Sequence, residues 1–240
     1  QELLETVTAV GKPVVLLLSA GSAMDLSWAQ EHVNAIIDTW YPGARGGRAV
    51  AEALFGDFSP NGKLPVTFYA STDDLPDFKD YSMENRTYRY YKGKPLYPFG
   101  YGLSYGQITY SDAVIDRTRA AIGDTLTVRA TVKNESTYPL HEAVQVYVHD
   151  VESATRTPIW QLRGVQCVSL APGESKMVEM TLSARDFAII REDGSCVVEP
   201  GAFRVAIGGQ QPDARSVQLT GRKTDIFEVV LDGETTPVEY

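Results

Sequence analysis

The chain has 240 residues, enough for one large domain or two modest ones, and folding at this length buries roughly three quarters of the extended chain's surface. With 43% hydrophobic, 10% aromatic and 22% charged residues it has ordinary globular composition, which excludes disordered and fibrous classes. A formal charge of −9 repels phosphate backbones, and the longest apolar run, residues 13–20, is too short to cross a bilayer, so neither nucleic acid nor membrane is expected as a partner.

The N-terminus opens Gln1-Glu-Leu-Leu-Glu5, with no basic stretch followed by an apolar one as in a secretion signal. Residues 2–10 have helical spacing, and residues 13–19 form a continuous apolar run of strand length, the pattern of a strand covered on both faces. Residues 35–40 read as a second buried strand. The turn Tyr41-Pro-Gly-Ala-Arg-Gly-Gly47 leads into a helix over 48–55, which the breakers Gly56-Asp-Phe-Ser-Pro60-Asn-Gly62 end. Residues 63–68 return as a third strand. Strand, turn and helix in this order form the half-unit of a parallel sheet, here a small one with a poor core.

Between residues 71 and 110 the composition turns to aspartates, prolines and tyrosines, among them Tyr88, Tyr90, Tyr91, Tyr97, Tyr101 and Tyr105, and no period holds. A long structured connection of this kind is functional or packed against something. From about residue 107 the segments alternate: Thr125-Leu-Thr-Val-Arg-Ala-Thr-Val132, Ala143-Val-Gln-Val-Tyr-Val148, Lys176-Met-Val-Glu-Met-Thr-Leu182 and Phe203-Arg-Val-Ala-Ile207, with turns such as Pro172-Gly173 and Asp193-Gly194 between them. Seven or eight short strands in roughly 110 residues make an immunoglobulin-like or fibronectin type III-like sandwich. The fold class expected is α/β plus all-β: a partial α/β sandwich with a mostly parallel sheet over 1–105, followed by a β-sandwich over 106–240.

Cys167 and Cys196 are read as two free buried thiols, since two cysteines cannot build a disulfide framework. His32, His141 and His149 lie too far apart in sequence for a ligand set, and no cofactor or metal is expected. Gly43-Ala-Arg-Gly-Gly47 is not followed by the Gly-Lys-Ser/Thr of a phosphate loop. Asn85-Arg-Thr87 and Asn134-Glu-Ser136 fit the glycosylation pattern, which is frequent by chance.

Three stretches taken together resemble the C-terminal half of family 3 glycoside hydrolases, the β-glucosidases and β-xylosidases. They are Trp40-Tyr-Pro-Gly43 with Gly46-Gly47, running through Ala53-Leu-Phe-Gly-Asp57 to Pro60-Asn-Gly-Lys-Leu-Pro65; Arg86-Thr-Tyr-Arg-Tyr-Tyr91 with Tyr97-Pro-Phe-Gly-Tyr-Gly-Leu-Ser-Tyr105; and Leu162-Arg-Gly164, Leu170-Ala-Pro-Gly-Glu174 and Val197-Val-Glu-Pro-Gly201. The resemblance implies an α/β sandwich domain, incomplete at its N-terminus, then a fibronectin type III-like domain. It also implies an N-terminal TIM barrel as partner, in the same precursor or a second chain, and a glycoside or oligosaccharide substrate.

In that family the barrel gives an aspartate nucleophile and the α/β domain a glutamate acid/base on a loop before the helix that Gln1-Glu2-Leu3-Leu4 resembles. Neither carboxylate is carried over to this chain, so the chain alone is expected to be inactive. Retaining hydrolysis needs two carboxyl groups about 5 Å apart, and the spacing of Asp73, Asp74, Asp77, Asp80 and Glu84 fixes no such geometry. Glu84, Arg86 and Tyr88 are the candidates for the edge of the sugar cleft or for an interdomain contact, because sugar sites combine aromatic platforms with carboxylate and guanidinium partners. The alternative reading is a non-catalytic carbohydrate-binding or adhesive module. The Arg86-Thr-Tyr-Arg89 form leans towards xylosidase-like members, and unpaired cysteines favour the cytoplasm over an oxidising compartment.

Overall fold

The computed structural model describes residues 1–153 and 155–239. Its first hundred residues build a thin α/β layer. Helix α1 (Glu2–Thr8) rests on the core through Leu4 alone and fully buries none of its residues. Strands β1 (Val15–Leu18) and β2 (Ala35–Asp38) pair in parallel, Val15 opposite Ala35 and Leu18 opposite Asp38, and α2 (Ser27–His32) crosses between them. Helix α3 (Gly46–Phe55) ends at Gly56, whose φ of 80° is the left-handed cap that glycine takes without penalty. The core beneath is as small as the sequence suggests: Leu26, Ala29, Phe68 and Leu96 are buried, with Leu16, Leu18 and Ile36 leaning on them.

The third strand expected over 63–68 does not form. Leu64 N–H donates to the Tyr101 carbonyl (2.8 Å) and Phe68 N–H to that of Tyr97 (2.9 Å), so the segment runs antiparallel to the tyrosine-rich connection and leaves a single bridge, Phe68 to Tyr97. Pro65 has no N–H to offer a ladder. The parallel sheet therefore has two strands. The connection itself holds one 3-10 turn (Thr72–Asp74) and a short helix, α4 (Thr87–Tyr90).

The remainder is a β-sandwich. A five-stranded sheet runs β4 (Arg119–Ala121), β12 (Asp225–Asp232), β11 (Gly201–Gly208), β6 (Leu140–Asp150), β7 (Gln161–Leu170). It faces a three-stranded sheet of β3 (Ile108–Ile115), β5 (Leu126–Asn134) and β8 (Ser175–Leu182). Strands β9 (Ile189–Ile190), β10 (Cys196–Val198) and β13 (Thr236–Pro237) form a small third sheet, and α5 (Ala214–Thr220) links β11 to β12. Alternation places Val128, Ala130 and Val132 of β5 against Val144, Val146 and Val148 of β6 and Phe203, Val205 and Ile207 of β11 in one core.

Strand β6 departs from the one-sided rule, because Gln145 and Tyr147, on the face away from that core, are also buried. Register on its neighbour β7 slips by one residue: Val146 opposes Gly164 while Tyr147 opposes Leu162, which makes Arg163 the extra residue of a bulge. The thiols are free as expected but not buried, since Cys167 is exposed on β7 and Cys196 is half-buried on β10.

Candidate functional site at the tyrosine-rich connection

The second buried face of β6 is covered by the connection. Gln145 Nε2 donates to the Gly100 carbonyl (3.1 Å) and to that of Gly209 (3.2 Å). Tyr147 meets the edge of Tyr88, which stacks on Phe99 with centroids 4.0 Å apart, and the Tyr88 hydroxyl accepts from Leu162 N–H at 3.2 Å. Arg215 of α5 reaches back with Nε to the Pro95 carbonyl (3.1 Å) and Nη2 to that of Leu96 (3.0 Å). A buried ion pair completes the junction: Lys63 Nζ lies 3.3 Å from Glu142 Oε1, with side chains 12% and 4% exposed, and Glu142 also accepts from the Tyr110 hydroxyl. Burial pulls the Lys63 ammonium below its ordinary range, against the upward pull of Glu142, and burial pushes the Tyr110 phenol up.

The three candidate residues lie along the outer part of this connection and do not share one cluster. Glu84 is exposed and ion-paired with Lys92 at 3.8 Å. Arg86 is turned inward to backbone carbonyls, with Nη2 2.6 Å from that of Asp77 and Nε 3.2 Å from that of Asp80, so it ties its own loop. Tyr88 faces the sandwich. Met83, Asn85 and Thr87 each have positive φ (63°, 56° and 54°), and for the β-branched Thr87 this is strained backbone. Tyr69 holds that strain through its hydroxyl, which accepts from Thr87 N–H at 2.9 Å.

Asp74, Asp77 and Asp80 are occupied within their own loop. Asp77 accepts from Lys79 N–H (2.8 Å) and Asp80 from Ser82 N–H (2.8 Å), and the Ser82 amide holds the Asp80 carboxyl below the usual carboxylate range. A group so lowered is a poor proton donor at neutral pH. Asp74 accepts from the Ser71 amide (3.3 Å) and bonds Tyr91, whose hydroxyl is pushed up to about 12, first by burial and then by that carboxylate. These carboxylates therefore serve the turns of their own loop.

Other motifs resolve structurally. Gly43 has φ 72° in a tight turn, and a Cβ on Gly46 would lie 2.5 Å from the Pro42 ring. Asn134 is fully buried, its Nδ2 donating to the carbonyls of Tyr138, Leu170 and Ala171, so its sequon is closed to a glycan in the folded chain. His141 bonds Ser169, His149 sits beside Trp160, and His32 stacks on Trp28. Among the described residues no group of three metal-ligating side chains comes together, and no helix is long and apolar enough to cross a membrane.

Sequence reasoning did not find the Lys63–Glu142 pair. Its signal was present, because Glu142 shares the inward parity of Leu140, Val144 and Val146, and a carboxylate at an inward position needs a cation.

Comparison with known proteins agrees with this architecture. Residues 1–105 match the glycosyl hydrolase family 3 C-terminal domain, and residues 142–211 match the fibronectin type III-like domain. A β-xylosidase of Formosa agariphila is 34% identical over 227 residues, covering 92% of this chain and 31% of its own length. A periplasmic β-glucosidase of Salmonella typhimurium is 33% identical over 220 residues, covering 87% of this chain and 29% of its own length. The crystal structure of a β-glucosidase from Bifidobacterium adolescentis superposes with a TM-score of 0.84 at 31% identity, covering 99% of this chain and 36% of that one. The chain thus spans about a third of the length of the relatives it matches. In sequence, domain order and fold, it belongs to the family 3 glycoside hydrolases and corresponds to their C-terminal part.

Proposed function

We propose that this chain completes a retaining, exo-acting β-glycosidase that releases terminal non-reducing glucose or xylose units, with the barrel and both catalytic carboxylates outside these 240 residues. The observation that carries the reading is the unfinished α/β layer. Val15 and Leu17 of the two-stranded sheet are 44% and 42% exposed, and Leu3 and Val7 of α1 and Phe55 of α3 are also open. Proteins normally cover a sheet face and edge of this kind, and a barrel with the preceding strands would do so.

In this reading residues 1–105 are the α/β domain and 106–240 the fibronectin type III-like domain. Glu84 and Arg86, on the outer loop, border the sugar cleft. Tyr88 and the Lys63–Glu142 pair fix that loop to the sandwich, which serves as a rigid back wall. Pre-set loops of this kind raise catalysis by holding the substrate in a productive pose.

The test is hydrolysis of aryl β-glucoside and aryl β-xyloside by the 240 residues alone and by the same residues joined to a family barrel with its acid/base loop. Activity of the joined protein only is the expected result. Turnover by the 240 residues alone would overturn the assignment. A stable, monodisperse, glycan-binding monomer whose joined form hydrolyses neither substrate would favour the binding-module alternative.

A further inference from the structure

The loop that follows α3, residues 56–64, is held at both ends and open in the middle. On one side Ser59 is buried, and its hydroxyl accepts from Tyr105 N–H at 2.8 Å. On the other side Leu64 N–H donates to the Tyr101 carbonyl (2.8 Å), Gly100 N–H donates to the Leu64 carbonyl (2.8 Å), and Lys63 Nζ donates to the Gly102 carbonyl at 3.1 Å. Between these anchors lie Asn61 and Gly62, both exposed. Among the described residues, none hydrogen-bonds the Asn61 carboxamide or accepts from the Gly62 N–H.

That combination favours reaction between the two. An asparagine carboxamide carbon and the next residue's backbone nitrogen can close a five-membered ring, and groups joined in one chain react far faster than the same groups in separate molecules. Glycine after the asparagine has no Cβ to shield that nitrogen or to restrict the torsions that bring it in. The other three asparagines are differently placed. Asn34 Oδ1 accepts from Val14 N–H at 2.8 Å, Asn85 Oδ1 accepts from Lys92 N–H at 3.0 Å, and the buried Asn134 donates to three carbonyls. They precede Ala35, Arg86 and Glu135, each of which has a Cβ.

We infer that Asn61 is a site of spontaneous deamidation, with water as the only co-reactant, and that its isoaspartyl product acts on the junction between the two halves of the chain. The Gly62 nitrogen gives its proton to solvent base and attacks Asn61 Cγ. The N–Cγ bond forms, the Cγ–Nδ2 bond breaks, and Nδ2 takes a proton from solvent and leaves as ammonia. Water then adds to one carbonyl of the cyclic imide and breaks its bond to nitrogen, which recovers a proton. Opening at Cγ gives aspartate. Opening at the backbone carbonyl carbon routes the main chain through the side chain, an isoaspartyl link one methylene longer. That methylene is inserted between the anchors at Ser59 and Lys63. A Cβ on Gly102 would lie 2.0 Å from the Gly62 carbonyl oxygen, so the loop has no slack on that side, and lengthening it displaces Lys63 from Glu142. The chemistry does not depend on the glycosidase reading.

The test is tryptic peptide mapping of the protein after incubation at mildly alkaline and at mildly acidic pH. Residues 49–63 form one peptide with Asn61 as its only asparagine. Conversion of this peptide to aspartyl and isoaspartyl forms is expected, faster at alkaline pH because the attacking nitrogen must lose its proton, while the peptides carrying Asn34 and Asn85 stay amidated. Gly62→Ala, whose added Cβ meets nothing within 4 Å, keeps the fold and slows conversion about tenfold. Should that variant fail to fold, Asn61→Gln, which would have to close a six-membered ring, abolishes conversion over the same period. Freshly prepared Asn61→Asp has the new charge without the extra methylene and keeps the parent's urea midpoint, whereas protein enriched in the isoaspartyl form unfolds at lower urea. An unconverted Asn61, equal conversion at the other asparagines, or variants that convert as fast as the parent would overturn the modification site. An isoaspartyl-rich protein with the parent's urea midpoint would overturn its action on the junction.

Discussion

Removing the Glu142 charge strands the Lys63 ammonium in the junction between the two halves of the chain. At 3.3 Å and an effective dielectric of about 20, the pair attracts with about 5 kcal/mol, which desolvation of two nearly buried groups offsets in large part. The single change Glu142→Gln keeps an acceptor for the Tyr110 hydroxyl and loses the attraction while the Lys63 desolvation cost remains. Breaking a buried pair from one side costs about 3–5 kcal/mol. For a chain of this length that lowers Tm by about 6–12 °C at the lower figure. Lys63→Met combined with Glu142→Gln removes both charges and returns most of the loss, to within about 1 kcal/mol of the parent. Urea midpoints of the four proteins in a double-mutant cycle give the coupling directly. A Glu142→Gln protein within 0.5 kcal/mol of the parent, or a double variant worse than either single one, would refute the view that this pair holds the junction.

A Cβ on Gly102 would lie 2.0 Å from the Gly62 carbonyl oxygen, so Gly102→Ala is expected to cost about 1–3 kcal/mol, read as a lower thermal midpoint; an unchanged midpoint would mean the two loops do not touch. Tyr88→Phe leaves Leu162 N–H without its acceptor and costs about 1–3 kcal/mol, whereas Tyr88→Ala also loses the stack on Phe99 and the edge of Tyr147 and costs about 3–5 kcal/mol; equal urea midpoints for the two variants would show that the stack contributes nothing. Alkali should unfold the chain through its tyrosines. Tyr91 and Tyr97 are raised to about 12 from 10.0, so their contribution is complete below pH 10 and is lost as pH rises towards 12. Lys63 runs the other way: its lowered value makes the folded chain shed that proton first, adding stability as pH climbs towards 10.5. Denaturant midpoints across this range, followed beside tyrosinate absorbance, give the balance, and native tyrosines that all ionise near pH 10 would contradict the burial.

The sandwich was legible because alternation in β5, β6, β8 and β11 places every second side chain in one core. The segment over 63–68 misled for a physical reason: its apolar residues are buried by the tyrosine-rich connection, and hydrogen bonding to that connection takes the place of a sheet ladder. Helix α2 had no clear signal, being six residues with one buried position, Ala29. The site was less readable than the fold. Glu84, Arg86 and Tyr88 are separated by residues with φ near +60°, which turn neighbours to different sides in a way that no periodicity describes.

The two dry faces of β6 bear on how this segment can be inherited. A domain that moves between genes must carry a surface that tolerates water wherever it is cut, and Gln145 and Tyr147 would be wetted by any cut that released the sandwich from residues 88–100. The recombining unit is therefore the sandwich together with the loop that roofs it, and grafting the sandwich alone onto another enzyme would transplant an open wound.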